Sequence, residues 1–385
     1  MNKTPKIKIG YLISHPIQYQ VPLYKYIYKK NLFDFNVFYL SDFSLKKHLD
    51  QEFKESFNWG INLTEGYKYT VLKSIFLNKV SFLSPLKINF YNLLKDKDLK
   101  FVIVHGWGSL SNILFIIQAK FLNKKILLRG EASDHFNKNR YIKKFLRENF
   151  LKILFYFIDG FLFIGKNNKQ FYLNRNIPEK KLFFAPYCVD NDHFKKLKHK
   201  NDHKIKLLFV GKFINRKRTI DLLKAIALIN TNNDSFKENV LINIIGSGEN
   251  EKKLKDFGTI NNLINVKFLG FKNQNEIREF YSLSDILVIT SENEPWGLVV
   301  NEAMASSCAI ISSDGVGCAN DLVKNDFNGF IYPTGDVKKL SEKIVYLTSN
   351  LNIVEKFKKN SLNLISEYSF QNVLNGINEA KNKLV

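Results

Sequence analysis

Cysteine is scarce in this sequence. Only Cys188, Cys308 and Cys318 occur in 385 residues. An odd number without metal-ligand spacing excludes a disulfide framework and a cysteine zinc site, and fits a reducing cytoplasm. Long apolar runs are missing too. The most hydrophobic tract, Phe150–Gly165, is broken by Lys152 and Asp159, and it falls short of the roughly 20 residues that a membrane helix needs. Met1–Lys8 is short and charged and leads directly into an apolar strand, so no secretory signal is expected there. Acids are the minority charge, 36 against 58 Lys and Arg, for a net +22. No solenoid-period repeat or low-complexity domain is visible. Zinc fingers, a ribonucleoprotein sheet motif and a recognition-helix pair are also absent, so nucleic acid is not the expected partner.

What is present suits a globular α/β protein. The apolar fraction of 45% supports real cores, and the length suggests two domains. A basic chain with 14% aromatics points to phosphorylated small molecules or anionic lipid. Short apolar strands at 7–13, 35–40, 101–105, 125–128, 160–164 and 182–185 alternate with helical patterns and predict a βα repeat over 1–194. Residues 71–98 are expected to carry an amphipathic helix after a strand at 69–72. The charged stretch 195–204 reads as a linker. A second α/β unit is predicted over 195–351, and 352–385 as a helical segment. The basic, aromatic segment 139–156 is a candidate lipid-surface patch.

The second unit is organised around Asp285–Asp321. A strand at Ile286–Thr290 runs into an acidic turn containing Pro295 and Gly297, then into a helix starting near Gly297 or Leu298, then into a strand at Ala309–Ser312. Glu294 lies in the turn and Glu302 about one turn inside the helix. Both can face one ligand held over the helix amides, including those of Leu298 and Val299. The loop GKFINRKR, after the strand Ile205–Val210, brings Lys212 and Lys217 to the same sheet edge, where cations offset charge on a phosphate or diphosphate. Gly246 and Gly248, in GSGE, make a glycine-rich turn that permits close backbone approach. Two carboxylates are also compatible with the acid and base of a hydrolase. No Asp-x-Asp or histidine cluster accompanies them, so no metal is expected. In the first domain His15, His105 and the segment Arg129-Gly130-Glu131 end strands, with Asp134 and His135 just beyond. Asp285 and Asp321 read as structural groups.

Over Ile205–Leu347 the pattern resembles the retaining glycosyltransferases of family four. The resemblance is carried by E294-PWGLVVN-E302 with Ala303–Ala305, by Lys212 and Lys217 in GKFINRK, by GSGE, by FLGF at Phe268–Phe271, and by NGFIYPTGD at Asn328–Asp336. It implies the GT-B architecture: two Rossmann-like domains facing a cleft, with a C-terminal helix crossing back to the first. The C-terminal domain would hold a UDP- or GDP-sugar and the N-terminal one mainly the acceptor. Lys212 and Lys217 would take the diphosphate, Glu294 the sugar hydroxyls and Glu302 the ribose. Gly246, Gly248, Phe271, Gly297, Leu298 and Val299 would complete the nucleotide site, with no cofactor or divalent metal required. His105 and Glu131 are the catalytic candidates of the first domain. The pattern departs from the family at Lys212, where arginine is usual, and at Arg218, Cys188 and Cys318, where glycine is usual. Asp321 stands in place of a glutamate. The family's active-site histidine is replaced within RGEASDH, which leaves Glu131 or His135 to contribute.

The implied activity is transfer of a hexose from a nucleotide-diphosphate sugar to a hydroxyl of a glycan or lipid-linked acceptor, in cell-surface polysaccharide or glycoconjugate synthesis. The expected location is cytoplasmic, with possible peripheral attachment to the inner face of the plasma membrane. The alternatives are a nucleotide-sugar epimerase, a glycan phosphorylase, or a non-catalytic basic nucleotide-binding protein.

Overall fold

Runs rich in Ile, Leu, Val and Phe, three to seven residues long, form the strands of the two parallel sheets, and the central strands are buried on both faces, as sheets covered by helices require. The computed structural model describes residues 6–45, 49–50, 55–56, 62–77, 80–134, 141–197 and 204–384. The chain divides into two units. Unit 1 comprises Met1–His48, Asn62–Tyr187 and Phe370–Val385, and unit 2 comprises Leu49–Ile61 and Cys188–Ser369.

Unit 1 contains β1 (Lys8–Ile13), α1 (Val21–Lys30) and β2 (Asp34–Tyr39). A short antiparallel pair follows in the chain, β3 (Leu49–Asp50) and β4 (Glu55–Ser56). Next come β5 (Tyr69–Val71), α2 (Tyr91–Leu94), β6 (Leu99–His105), α3 (Leu110–Phe121), β7 (Lys125–Arg129), α4 (Tyr141–Tyr156), β8 (Gly160–Phe163), α5 (Lys166–Leu173) and β9 (Leu182–Phe184). The main sheet has the order β5-β2-β1-β6-β7-β8-β9, with every pair parallel. Its order reverses between β1 and β6, the place where such sheets open a crevice at their carboxyl ends.

Unit 2 contains β10 (Ile205–Val210), α6 (Thr219–Asn232), α7 (Asp234–Asn239), β11 (Val240–Ile245), α8 (Glu251–Ile260), β12 (Val266–Phe268), α9 (Gln274–Leu283), β13 (Ile286–Ile289), α10 (Leu298–Ala305), β14 (Ala309–Ser313), α11 (Ala319–Leu322), β15 (Gly329–Tyr332), α12 (Val337–Thr348) and α13 (Leu351–Ile365). Its parallel sheet runs β12-β11-β10-β13-β14-β15, the doubly wound order of dinucleotide-binding folds, with the reversal between β10 and β13. Leu207, Phe209, Ile242, Ile244, Val288 and Ile311 are among the strand residues that fill its core.

The C-terminal segment 352–385 is shared between the units. In α13, Val354 and Phe357 join the core of unit 2, and Lys358 bonds Asp285 at 3.1 Å. The last helix, α14 (Phe370–Leu384), packs on unit 1. Its Phe370 ring meets Tyr26 at 5.7 Å, and Tyr26 Oη donates to Gln371 at 2.7 Å.

The helix expected within 71–98 does not form, apart from the single turn of α2. Instead the described residues of 72–90 fold back on themselves, with Ile75 bridged to Leu86 and Ser81 to Ser84, and they also bond to α3. Lys87 N–H donates to Ser111 Oγ (2.8 Å), Phe90 N–H donates to Gln118 Oε1 (2.8 Å), and Gln118 Nε2 donates to the Ile88 carbonyl (2.7 Å). Side chains of a neighbouring helix satisfy the backbone groups that an α-helix would have satisfied internally. Among the described residues no helix is long and apolar enough to cross a membrane.

Candidate functional site

Every residue expected to touch the donor nucleotide lies at the carboxyl edge of the unit 2 sheet or on α10 just after it. The loop 211–218 follows β10, 246–250 follows β11, 269–273 follows β12, 290–297 follows β13, and 314–318 follows β14. The first and fourth of these flank the strand-order reversal, and they are stitched together. Thr290 Oγ1 donates to the carbonyls of Lys217 (2.7 Å) and Arg218 (3.1 Å), and Glu292 N–H donates to the Arg216 carbonyl at 2.8 Å.

That stitching brings Lys217 Nζ into an ion pair with Glu294 Oε2. Both side chains are mostly buried, at 13% and 14% exposure, so the pair is less screened than a surface salt bridge. Arg216 Nη1 adds a contact to the Glu294 carboxylate at 3.5 Å. Glu294 is fixed from its other side by 314–318. Its N–H donates to the Gly315 carbonyl (3.0 Å), and its own carbonyl accepts from Gly317 N–H (2.8 Å). A Cβ on Gly317 would fall 2.0 Å from the Pro295 carbonyl oxygen, so only glycine lets the two loops lie this close.

The same logic governs Gly246, where a Cβ would stand 1.9 Å from the Gly211 carbonyl oxygen. Gly246 and Gly248, expected to let a nucleotide approach the backbone closely, both lie against the chain's own 211–213 loop. Gly246 N–H donates to the Gly270 carbonyl at 3.0 Å, which brings Phe271 beside this loop. Lys212 sits partly buried at the end of β10.

Gly297 ends the 290–297 turn and precedes α10, which no side chain caps. The helix therefore keeps its positive N-terminal end, at Leu298 and Val299, beside Glu294. Within α10, Glu302 Oε2 accepts a 2.6 Å hydrogen bond from Tyr281 Oη. Burial pushes the Glu302 carboxyl up to about 7, against the opposing pull of that hydrogen bond. Tyr281 was not foreseen. It lies on α9, far from Glu302 in sequence, and no local spacing signals the contact.

The first-domain candidates gather at the carboxyl edge of the unit 1 sheet. His105, at the end of β6, shares a 2.8 Å hydrogen bond between Nδ1 and Tyr11 Oη. Burial, with Arg129 and His15 nearby, lowers its pKa to about 3, so the imidazole is neutral at ordinary pH. His15 bonds Ser14 Oγ at 2.9 Å and faces the Phe43 ring at 4.3 Å. Glu131 accepts from Tyr187 Oη. Arg129 is not an open cationic site: it is 1% exposed, and it donates to Gln20 Oε1 (3.3 Å) and the Pro186 carbonyl (3.0 Å). Asp134 is held bidentately by Arg175 at 2.9 Å. His135 lies outside the described residues, as do His48, His199 and His203.

Asp285, Asp314 and Asp321 are each bonded to the chain itself. Asp285 accepts from Lys206 N–H at 3.0 Å, Asp314 from Thr334 N–H at 2.9 Å, and Asp321 from Tyr368 Oη at 3.0 Å. All three cysteines are buried, and none is in a disulfide. Among the described residues no group of three or more His, Cys, Asp and Glu side chains is placed to hold a metal.

Two doubly wound parallel units, with the last helix returned to the first, make this a GT-B architecture. Residues 190–363 match the family model "Glycosyl transferases group 1", so the chain is related to those glycosyltransferases through unit 2. An uncharacterised glycosyltransferase of Methanocaldococcus jannaschii is 30% identical over 177 residues, 46% of this chain and 48% of that protein. The matches to the first three curated relatives take in 48%, 37% and 32% of those proteins' own lengths. The solved glycosyltransferase of Rickettsia africae superposes with a TM-score of 0.72 at 17% identity, covering 98% of this chain and 99% of that one. HepE of Anabaena, solved in complex with UDP, gives 0.72 at 16% identity over 97% and 99%. At such identities the structural likeness speaks for the fold.

Proposed function

We propose that the protein is a retaining glycosyltransferase that moves a hexose from a UDP- or GDP-sugar to a hydroxyl of a glycan or lipid-linked acceptor. The observation that carries the reading is the Lys217–Glu294 ion pair, set at the strand-order reversal beside the uncapped start of α10. A diphosphate entering there meets Lys217, Lys212 and the α10 amides, and it competes with Glu294 for Lys217. Glu294 is then released to accept hydrogen bonds from the sugar, while Glu302 takes the ribose.

In the reaction the bond from the anomeric carbon to the diphosphate oxygen breaks and a bond to the acceptor oxygen forms on the same face. The acceptor proton passes to a phosphate oxygen of the leaving diphosphate. Lys217, Lys212 and the helix amides stabilise the charge that develops on the diphosphate. No step calls for a metal. His105, neutral and oriented by Tyr11, and Glu131 serve the acceptor side. The structure of HepE with UDP-glucose supports a UDP-sugar as the first donor to try.

The decisive experiment screens UDP- and GDP-sugars for acceptor-dependent release of nucleoside diphosphate. Turnover that needs an acceptor, and that K217A or E302A removes without unfolding the protein, supports the reading. Unchanged turnover in both variants would sink it. An epimerase would instead convert its donor alone, and a phosphorylase would need inorganic phosphate.

We place the protein in the cytoplasm, attached peripherally to an anionic membrane. On α4, Phe145, Leu146, Ile153 and Tyr156 are exposed by 60–83%, alongside Lys144, Arg147 and Lys152. Flotation with anionic but not neutral liposomes is the expected result; absence from both would remove the membrane assignment.

A further inference from the structure

We propose that Tyr281 is the positioning residue for ribose recognition: it holds Oε2 of Glu302 so that the carboxylate meets the nucleotide's hydroxyls in one fixed orientation. This inference rests on the glycosyltransferase reading above.

Glu294 is paired with a cation, Lys217, whereas Glu302 accepts its hydrogen bond from a neutral phenol. A carboxylate offers about four lone-pair positions. Tyr281 Oη fills one on Oε2, leaving Oε1 and the remaining position on Oε2 for two hydroxyl donors. Orientation matters because a glutamate side chain has several rotamers of similar energy, and each hydrogen bond to ribose must offset the cost of ordering it.

Tyr281 is itself locked. It is fully buried, and the Phe194 ring meets it edge-on at 5.8 Å. Phe194 is anchored in turn by Ser306 Oγ, which donates to its carbonyl at 2.5 Å. Cys308 Sγ lies 3.5 Å from the Tyr281 carbonyl oxygen. Ser306 and Cys308 directly follow α10, so the helix carrying Glu302 and the ring orienting it are braced by the same segment. A site held this way keeps its geometry before the ligand arrives.

The test is calorimetric titration of the full chain with UDP, with GDP, and with the 2′,3′-dideoxy form of each. The wild type is expected to prefer the ribose form by about ten-fold or more, the scale of a hydrogen bond to a charged group. Y281F should lose most of that preference, chiefly by weakening the ribose nucleotide, while the dideoxy form binds almost as before. It should also move the pH of half-maximal affinity upward, because the lost phenol stabilised the ionised carboxylate. Site-specific 3-fluorotyrosine at position 281 keeps the packing and donates more strongly. It should move that midpoint downward, and it serves as the test if Y281F does not fold.

Full ribose discrimination in Y281F, or an unmoved midpoint with 3-fluorotyrosine, while E302Q loses discrimination, would overturn the inference and leave the functional reading intact. Discrimination retained in E302Q, or a wild type that binds neither nucleotide, would overturn the reading itself.

Discussion

The carboxyl edges of the two sheets have the same topology and opposite chemistry. In unit 2 the edge is a set of loops zipped backbone to backbone, with a charged pair, Lys217 and Glu294, held in the seam. In unit 1 it is a packed cluster of rings, Tyr11, His105, Tyr19 and Tyr187, around the buried guanidinium of Arg129. The match to a family model covers 190–363 and none of the unit 1 edge. A diphosphate presents one invariant charge pattern, which few backbone arrangements meet. An acceptor has no such fixed pattern, and the edge proposed to serve it is built from this chain's own aromatic packing.

Charge removal is the sharpest way to break that comparison. K217A should lower transfer about 10²–10³-fold, the usual scale for losing one donor to a developing oxyanion, and should weaken UDP binding measured by calorimetry. H105A should leave UDP affinity within about two-fold and act on acceptor-dependent turnover, because nothing in unit 1 is assigned to the diphosphate. Equal loss of UDP affinity in both variants would erase the division of labour.

Glycine substitutions come next in size. G246A forces a methyl group against the Gly211 carbonyl, and G317A forces one against the Pro295 carbonyl. Each is expected to cost about 3 kcal/mol, since the obstacle is backbone and cannot rotate away. In the unit 1 loop, a Cβ on Gly108 meets nothing within 4 Å, so G108A should change stability by less than about 0.5 kcal/mol. Urea denaturation of the three variants measures the contrast.

These glycines show what sequence alone conveys. Strands and turns of unit 2 were legible because each strand is a short apolar run, two of them closed by Gly211 and Gly246, and because Glu294 and Glu302 stand at a fixed spacing across a helix start. The reason for Gly246 was not legible, since it depends on a loop thirty-odd residues earlier. The same holds for Tyr281, which reaches Glu302 from a different helix. The segment at 72–90 misled the reading because its apolar residues carry a helix-like spacing, whereas its described backbone groups pair with Ser111 and Gln118 of α3 and with one another, Ile75 with Leu86 and Ser81 with Ser84. Local pattern reports an element's own periodicity and not the groups that will satisfy its backbone.

The two edges should also titrate in opposite senses. The Glu302 carboxyl, pushed up to about 7, lies above its unfolded value of about 4.3. Between those values the folded chain keeps a proton that the unfolded chain has lost, so this group's contribution falls as pH rises through that window and is constant above it. His105, lowered to about 3, lies below its unfolded value of about 6.5. The unfolded chain therefore protonates first, and this contribution is fully present above pH 6.5 and lost as pH falls toward 3. Each slope is at most about 1.4 kcal/mol per pH unit. Urea midpoints between pH 4 and 8 should accordingly show E302Q and H105N tilting the curve in opposite directions; a shared direction would mean that one assignment of environment is wrong.

The smallest expected effect concerns Arg218, where the family resemblance leads one to expect glycine. Its backbone is left-handed, φ 49° and ψ 35°, at the start of α6, a conformation that costs a residue with a Cβ about 1 kcal/mol. Several contacts hold it there, among them an ion pair with Glu292 at 3.6 Å. Thr290 Oγ1 donates to its carbonyl, and its own Nε donates to Asp221 Oδ2 at 2.6 Å. The Asp221 side chain is 5% exposed, so it needs that partner. R218G would relieve the backbone and strand the carboxylate, and the two changes should nearly cancel, leaving stability within about 1 kcal/mol of wild type. Adding D221N removes the stranded charge, and the double variant should then be more stable than R218G alone. If the single variant were already clearly stabilised, the Arg218–Asp221 bond would contribute nothing. The arginine would then be a strained substitution without compensation, and the order of this edge would come from its backbone stitching alone.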